Sequence, residues 1–451
     1  MKIVIIGDGK VGRAIVEHTV QEGHVVIVID KNPKIIEQIV DLYDVMGVAG
    51  NGANIDIQKS AGVDKADLVI AATSSDETNI LCCLVAKKLG AKQTIARVRD
   101  YDYNKQIHIL QEDLGLALTL NPELEAANEI MKIINFPQVN RLDSFANGNV
   151  DLMELYVPEG SKFIGESLYT LHKKYEVSSL VCAVQRDNDV IIPKGNFTLQ
   201  AKDIIHMTAG SKDVRSFLTK VGYTTNKIKN ILIIGGGKIA LYLGEKLIAN
   251  KYKVKIIEQD QTRCQELSQL LPEATIIHGD GTDQRILEEE GIKSTDAIVS
   301  LTGIDEENII IAMYANKMNV HKIITKVNKT SFADLLQTVG VASVISPKEL
   351  TASKVVSYIR ALNNSRGNNV ITLYKLVNNK VEALEFIAKE NSKVLNKKLR
   401  DLKLKDNVLI GGIIRGNEVI IPTGEDMIML NDSVIVVTTS SYLDDLSDIL
   451  A

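Results

Sequence analysis

Cysteine is scarce in this chain, with four residues, Cys82, Cys83, Cys182 and Cys264, among 451. Their spacing fits neither a zinc ligand set nor a disulfide framework, so they read as small buried or free thiols of a reducing cytosol. Long apolar runs are also missing. Stretches such as residues 25–29 fall far short of the ~20 residues that cross a bilayer. No signal peptide is expected, because the start is a strand bearing Lys2 and not a charged stretch followed by an apolar one. A net charge of −5 and a pI near 5.9 give no basic footprint, which excludes nucleic acid as an expected partner. With 45% hydrophobic and 24% charged residues, the composition is that of a soluble globular protein.

What the chain does have is the same text twice. KIVIIGDGKVG at 2–12 returns as NILIIGGGKIA at 230–240. Gly7 maps to Gly235 and Asp30 to Glu258 at an offset of 228. The offset then becomes 229 and holds for Gly50 and Gly279, Thr73 and Thr302, Arg97 and Lys326, Pro193 and Pro422, and Asp203 and Asp432. A register that slips once over so long a stretch identifies a tandem duplication of half the chain.

Each copy reads as alternating strands and helices. In the first, apolar runs at 2–6, 25–29, 45–49, 68–72 and 94–98 predict buried parallel strands. Helices are expected from Gly12 onward and at 34–42, 54–61, 76–89 and about 122–135. Strict alternation implies a doubly wound sheet with right-handed crossovers. From about residue 151 the pattern changes to short strands at 151–157, 179–185, 189–192 and 203–208, with a polar Asp-Asn-Asp turn marking a hairpin in RDNDVIIPKG. The second copy repeats this scheme, with a long helix near 352–362, a polar linker NNSRGNN at 363–369 and the matching hairpin RGNEVIIPTG at 415–424. The expected fold is α/β, with two doubly wound parallel-sheet (Rossmann) domains, each followed by a small α+β domain. The boundaries fall at 1–138, 139–225, 228–362 and 369–451.

GDGKVG follows a strand and opens a helix, the context that gives a glycine fingerprint its meaning. Gly7 permits the tight turn, Gly9 removes a side chain where a pyrophosphate approaches, and Gly12 allows close helix–strand packing. Free N–H groups at the helix start, around Asp8, Lys10 and Val11, then face phosphate. Asp30 ends the second strand, where a carboxylate accepts hydrogen bonds from ribose hydroxyls and repels a 2′-phosphate. That favours NAD(H) or an adenine nucleotide over NADP(H). The second copy offers Gly235, Gly236, Gly237, Lys238 and Ile239, with alanine at 240 and Glu258 as the acid. Lys10 and Lys238 share one slot in the loop and either meet phosphate or remain solvated; Arg13 follows Gly12. Asn51-Gly52 and Asp280-Gly281 follow the third strand, where the adenine ring is expected. Thr73-Ser74 and Thr302 end the fourth strand beside the topological switch point. Arg97 either reaches a phosphate or lies on the strand edge.

A reaction centre is missing. A dehydrogenase needs a proton donor presented to the nicotinamide. The small module offers only His172 and His206, and the second half only His278 and His321, none with a partner that suggests a relay. The acids of SSDET (74–78) and GIDEEN (303–308) begin helices and read as dipole partners. Two nucleotide folds without a reaction centre point to sensing, with an NAD-dependent oxidoreductase as the alternative.

The order GDGKVG, Asp30, GNG, ADLVIAATSSDETNI, ARVR, NPELEAANEI and IIPKG, repeated in tandem, resembles the TrkA family over essentially the whole chain. These are cytosolic NAD-binding subunits of Trk potassium uptake systems. The resemblance implies no enzyme but a cytoplasmic protein, peripheral on the inner face of the membrane. Its paired conductance-regulating domains would assemble as a homo-oligomer, a tetrameric ring, on a TrkH/TrkG-like potassium-translocating subunit gated by NAD(H) and ATP/ADP. Carried across by motif, one site uses 7–11, Asp30, Asn51, Gly52, Thr73, Ser74 and Arg97, and the other 235–239, Glu258, Asp280, Gly281 and Thr302. Two departures stand out. Lys326 replaces the arginine matching Arg97, which predicts a different phosphate contact. FIGESL at 163–168 becomes VLNKKL at 394–399, losing its glycine.

Overall fold

The computed structural model describes residues 1–145, 149–175, 179–187, 189–211, 214–220, 228–329, 331–338, 340–341, 343–364, 370–376, 380–416, 418–439, 443 and 445–451. Most of the expected 363–369 linker, and the hairpin residues Asn188 and Asn417, lie outside these described residues, as does the expected boundary at 225.

The first half opens with β1 (Lys2–Ile6), α1 (Lys10–Gln21), β2 (Val25–Asp30), α2 (Pro33–Leu42), β3 (Met46–Ala49), α3 (Ile55–Ser60), β4 (Leu68–Ala71), α4 (Asp76–Leu89), β5 (Gln93–Arg97), α5 (Tyr101–Leu110), β6 (Leu118–Leu120) and α6 (Pro122–Asn135). Its six strands run parallel in the order β3-β2-β1-β4-β5-β6. Ile3, Val4 and Ile5 of β1 have no exposed surface, as a central strand covered by helices on both faces requires. The order reverses at β1, so a crevice opens beyond the carboxyl ends of β1 and β4. The expected strands and helices are present within a residue or two, and α5 and β6 extend the sheet beyond them. Asp100 starts α5 by accepting from the backbone N–H groups of Asp102 and Tyr103.

A first small domain follows as β7 (Val139–Phe145), β8 (Val150–Tyr156), α7 (Leu168–Tyr175), β9 (Ser179–Arg186), β10 (Asp189–Ile191), β11 (Ile204–Gly210) and α8 (Val214–Lys220). Its five strands lie in the order β10-β9-β11-β8-β7, so β7 is an added edge strand. The expected hairpin is the β9–β10 pair, closed by Arg186 opposite Asp189.

The second half repeats the plan. β12 (Asn230–Ile234), α9 (Lys238–Ala249), β13 (Lys253–Glu258), α10 (Gln261–Leu270), β14 (Thr275–His278), α11 (Gln284–Glu289), β15 (Ala297–Ser300), α12 (Asp305–Lys317), β16 (Lys322–Lys326), α13 (Ser331–Thr338) and β17 (Ser343–Ile345) form a sheet ordered β14-β13-β12-β15-β16-β17. α14 (Pro347–Asn364) starts earlier than the expected 352. β18 (Val370–Leu376), β19 (Val381–Ile387), β20 (Val408–Arg415), β21 (Glu418–Ile420) and β22 (Ser433–Thr438) make the second small sheet, β18-β19-β22-β20-β21. The lost glycine of FIGESL leaves the turn intact, because Asn396 takes φ +56° where Gly165 takes +80°. Asparagine is among the few residues that tolerate this left-handed region.

Chain order is not packing order. The molecule divides into one unit of residues 1–131 with 229–356 and another of 132–228 with 357–451. Like therefore packs with like. In the first unit, His18 on α1 meets Glu349 on α14 at 2.9 Å, Asn121 donates to the Tyr242 hydroxyl on α9 at 3.0 Å, and the Tyr101 and Tyr242 rings lie 5.6 Å apart. In the second, Phe145, Leu152, Cys182 and Ala183 share one apolar core with Val381, Ala383, Ile435 and Val437.

Candidate functional site

The β1–α1 loop is shaped by what its glycines omit. Gly7 takes φ +96°, and a Cβ on it would stand 2.9 Å from the Thr73 backbone. A Cβ on Gly12 would meet the Gly7 carbonyl oxygen at 1.9 Å, so only glycine lets α1 pass the loop. Gly9 differs, since nothing lies within 4 Å of its missing side chain. It precedes α1 without any side-chain cap, and the first turn of α1 carries no acid. The leading N–H groups of the helix are thus left for an anionic ligand. α9 repeats this, uncapped behind Gly237, whose missing side chain also faces open space.

Gly7, Asp8, Gly9, Lys10, Val11, Asp30, Asn51, Gly52, Thr73, Ser74 and Arg97 all line one cleft of about 870 Å³, and Gly12 sits beneath its floor. Asp30 is fixed beside the loop, accepting from the Asp8 N–H at 2.9 Å and the Asn32 N–H at 2.9 Å. Gly52 runs close under β1, where a Cβ would lie 2.2 Å from Ile6 Cγ2. Asp8 is buried and receives both Nε (3.0 Å) and Nη2 (2.5 Å) of Arg13. Burial raises the Asp8 carboxyl above its ordinary range, and Arg13 offsets part of that. Arg13 is therefore committed to the loop's own acid.

Asn79, which is not among the residues expected at the site, assembles the far side of the cleft. Fully buried on α4, it accepts from Thr73 N (2.7 Å) and Thr73 Oγ1 (2.7 Å), and donates to Arg97 O at 2.9 Å. Asp76 is expected from the sequence to be a helix-dipole acid. It does lie in the first turn of α4, and it also holds the segment after β5, accepting from Arg99 N at 2.8 Å and Asp100 N at 2.7 Å. Arg97 is 8% exposed, so it is not a surface residue on the strand edge. Its Nη1 donates to Ala72 O at 3.4 Å, and among the described residues its Nε has no partner. Burial and the neighbouring Arg99 push its pKa down.

The second copy builds the same frame from Gly235, Gly236, Gly237, Lys238, Ile239, Glu258, Asp280, Gly281 and Thr302. Glu258 accepts from Gly236 N at 2.5 Å and Asp260 N at 2.8 Å. Gly281 passes under β12, a Cβ there falling 2.2 Å from Ile234 Cγ2. Asp280 accepts from Thr282 N, and Asn308 accepts from Thr302 N and donates to Lys326 O, as Asn79 does in the first copy. Lys326 diverges from Arg97 because its Nζ is spent on the carbonyls of Thr302 (2.5 Å) and Leu301 (3.4 Å). Lys238 reaches the Arg99 carbonyl of the first copy at 3.4 Å. The first cleft is in turn lined by Ile239, Lys326, Asn328, Pro347 and Lys348 of the second. Among the described residues no cluster suits a metal ion, and no helix is long and apolar enough to cross a membrane.

These features define a class, that of paired dinucleotide-fold domains carrying small accessory sheets, built to bind nucleotide. The TrkA-N domain profile matches 3–122 and 231–347, and the TrkA-C domain profile matches 152–222 and 383–451. The chain belongs to the TrkA family. It is 32% identical to the Trk system potassium uptake protein TrkA homolog of Archaeoglobus fulgidus, over 97% of each chain. It is 31% identical to the Trk system potassium uptake protein TrkA of Halomonas elongata, over 96% of this chain and 95% of that one. Among solved structures it shares its fold with the GsuK channel bound to NAD, at a TM-score of 0.63 and 17% identity, covering 97% of this chain and 77% of that one.

Proposed function

We propose that this chain is the nucleotide-sensing regulatory subunit of a potassium transporter. It binds NAD(H) and ATP/ADP in its two glycine-loop clefts and passes their occupancy to a TrkH/TrkG-like membrane subunit. Membership of a family whose named relatives are potassium uptake proteins supports regulation rather than catalysis. The observation that carries the nucleotide reading is the first cleft, where an uncapped helix, a tethered Asp30 and the buried guanidinium of Arg97 converge. The residues fit an adenine dinucleotide. Asp30 and Asn51 would meet the adenosine end, Gly7 to Val11 the phosphates, and Thr73, Ser74 and Arg97 whatever extends beyond them. In the second cleft Glu258, Asp280, Gly281, Thr302 and the 235–239 loop would do the same.

The working protein is a cytoplasmic tetrameric ring, peripheral on the inner membrane face, with domains at 1–138, 139–225, 228–362 and 369–451. A ligand shifts such a ring only by binding one of its shapes more tightly, and 1–3 kcal/mol of difference is typical of allosteric coupling. The test is potassium flux through the complex reconstituted with its membrane partner. Flux is expected to change by about 5-fold or more between nucleotides. That response should be blunted by Asp30→Ala and, separately, by Glu258→Ala. Flux indifferent to NAD, NADH, ATP and ADP contradicts the proposal.

A further inference from the structure

The cations that line the first cleft do not all come from the first half. Lys10 and Arg97 belong to it, whereas Lys326 and Lys348 enter from the second. Three of them face carboxylates only at longer range, Asp305 near Lys10 and Lys326, Glu123 near Arg97 and Lys326, and Asp76 near Arg97. Among the described residues neither Lys10, Arg97 nor Lys326 has a carboxylate within ion-pair distance, and Lys348 has Glu349 only at 3.5 Å. Glu349 is shared with His18 at 2.9 Å. Of the acids in the lining, Asp8 is taken by Arg13, Asp30 by two backbone N–H groups, and Glu123 pairs with Arg99 at 3.5 Å. Among the described residues the buried Arg97 Nε has no hydrogen-bond partner. Burial lowers the pKa of both Arg97 and Lys326, and the nearby carboxylates of Glu123, Asp76 and Asp305 offset only part of it.

The duplication shows which of these cations is unexpected. Here the register of the copies shortens locally to 225, since β6 and β17 and the prolines that open α6 and α14 coincide at that spacing. NPELEA at 121–126 thus corresponds to SPKELT at 346–351, and Lys348 occupies the place that Glu123 holds in the first copy. Both side chains line the same cleft. The charge reversal adds a cation at the end of the cleft that the second half closes.

We propose that this end is a polyphosphate subsite built across the two halves. Lys348 is its specificity-determining residue, selecting nucleotides with phosphate charge beyond the first. The inference rests on the nucleotide reading of the first cleft. Arg97 and Lys10 meet the anion from one side and Lys348 from the other, while Lys326 stays on its two carbonyls. Binding a di- or triphosphate therefore draws the halves together, whereas a monophosphate engages the glycine loop alone.

The test is calorimetric titration of the full chain with AMP, ADP and ATP, on wild type, Lys348→Ala and Lys348→Glu. To isolate the first cleft, each is measured in a Glu258→Ala background. Wild type is expected to bind more tightly at each added phosphate. Lys348→Glu should weaken ATP about tenfold or more, with Lys348→Ala intermediate and AMP unchanged. If AMP binds as tightly as ATP in wild type, or if Lys348→Glu weakens AMP and ATP equally, the subsite is refuted while the nucleotide reading stands. If no nucleotide binds, that reading fails and the subsite with it.

Discussion

Asn79 makes four hydrogen bonds from a fully buried position, three to Thr73 and one to the Arg97 carbonyl. Its removal leaves buried groups at two strand ends without partners, a loss of about 1–3 kcal/mol. Asn79→Ala should therefore lower the urea midpoint with an unchanged m-value and weaken nucleotide binding as well. A change below about 0.5 kcal/mol, the level of an ordinary surface substitution, would count against this role. The glycines separate structure from function more sharply. Gly12→Ala places a Cβ 1.9 Å from a carbonyl oxygen and should destabilise the fold, whereas Gly9→Ala points into open cleft and should spare stability but hinder phosphate. Thermal unfolding and titration of the two variants check this, and equal behaviour would contradict it. The glycine spacing and Asp30 were legible in the sequence because they are local. Asn79 was not, since its partners lie on two strands that only the folded sheet brings together.

Among elements, α1 and α14 are joined by His18 and Glu349. The hydrogen bond to His18 holds the Glu349 carboxyl below its ordinary range. A depressed carboxylate contributes stability that is full above its unfolded pKa and is lost as pH falls through the lowered folded value. Wild type should thus be more stable than Glu349→Gln near neutrality, and the advantage should fade below about pH 4. Chemical denaturation along a pH series measures it, and a pH-independent difference would contradict the pairing. The small sheets carry a duplicated device. Asp203 and Asp432 are each 1% exposed and are gripped by Arg186 and Arg415 through paired bonds of 2.8–3.0 Å. Arg186→Ala strands a buried charge, and because the arginine is itself partly exposed the expected cost is about 2 kcal/mol, short of the 3–5 of a fully buried pair. The long apolar strands were readable from periodicity. β6 was not, with three residues of which only Leu120 is buried. Nor was β7, whose edge position leaves little pattern to find.

At the scale of the molecule, the duplication announced two copies but not their partnership. Each half could have packed its own sheet domain against its own small domain. Instead the sheet domains of both halves form one unit and the small domains another. No local pattern encodes a contact between residues so far apart in the chain, which is why Lys326 and Lys348 could not be placed in the first cleft from sequence. The two sites also proved unequal: among the described residues Arg97 Nε has no partner, where Lys326 is spent on carbonyls. The most direct test of nucleotide sensing is to titrate the purified chain with NADH and ATP while following absorbance at 340 nm. Saturable binding that is weakened in Asp30→Ala, with the absorbance of NADH constant over time, is the result expected. Binding unaffected by Asp30→Ala, or steady oxidation of NADH, would contradict it.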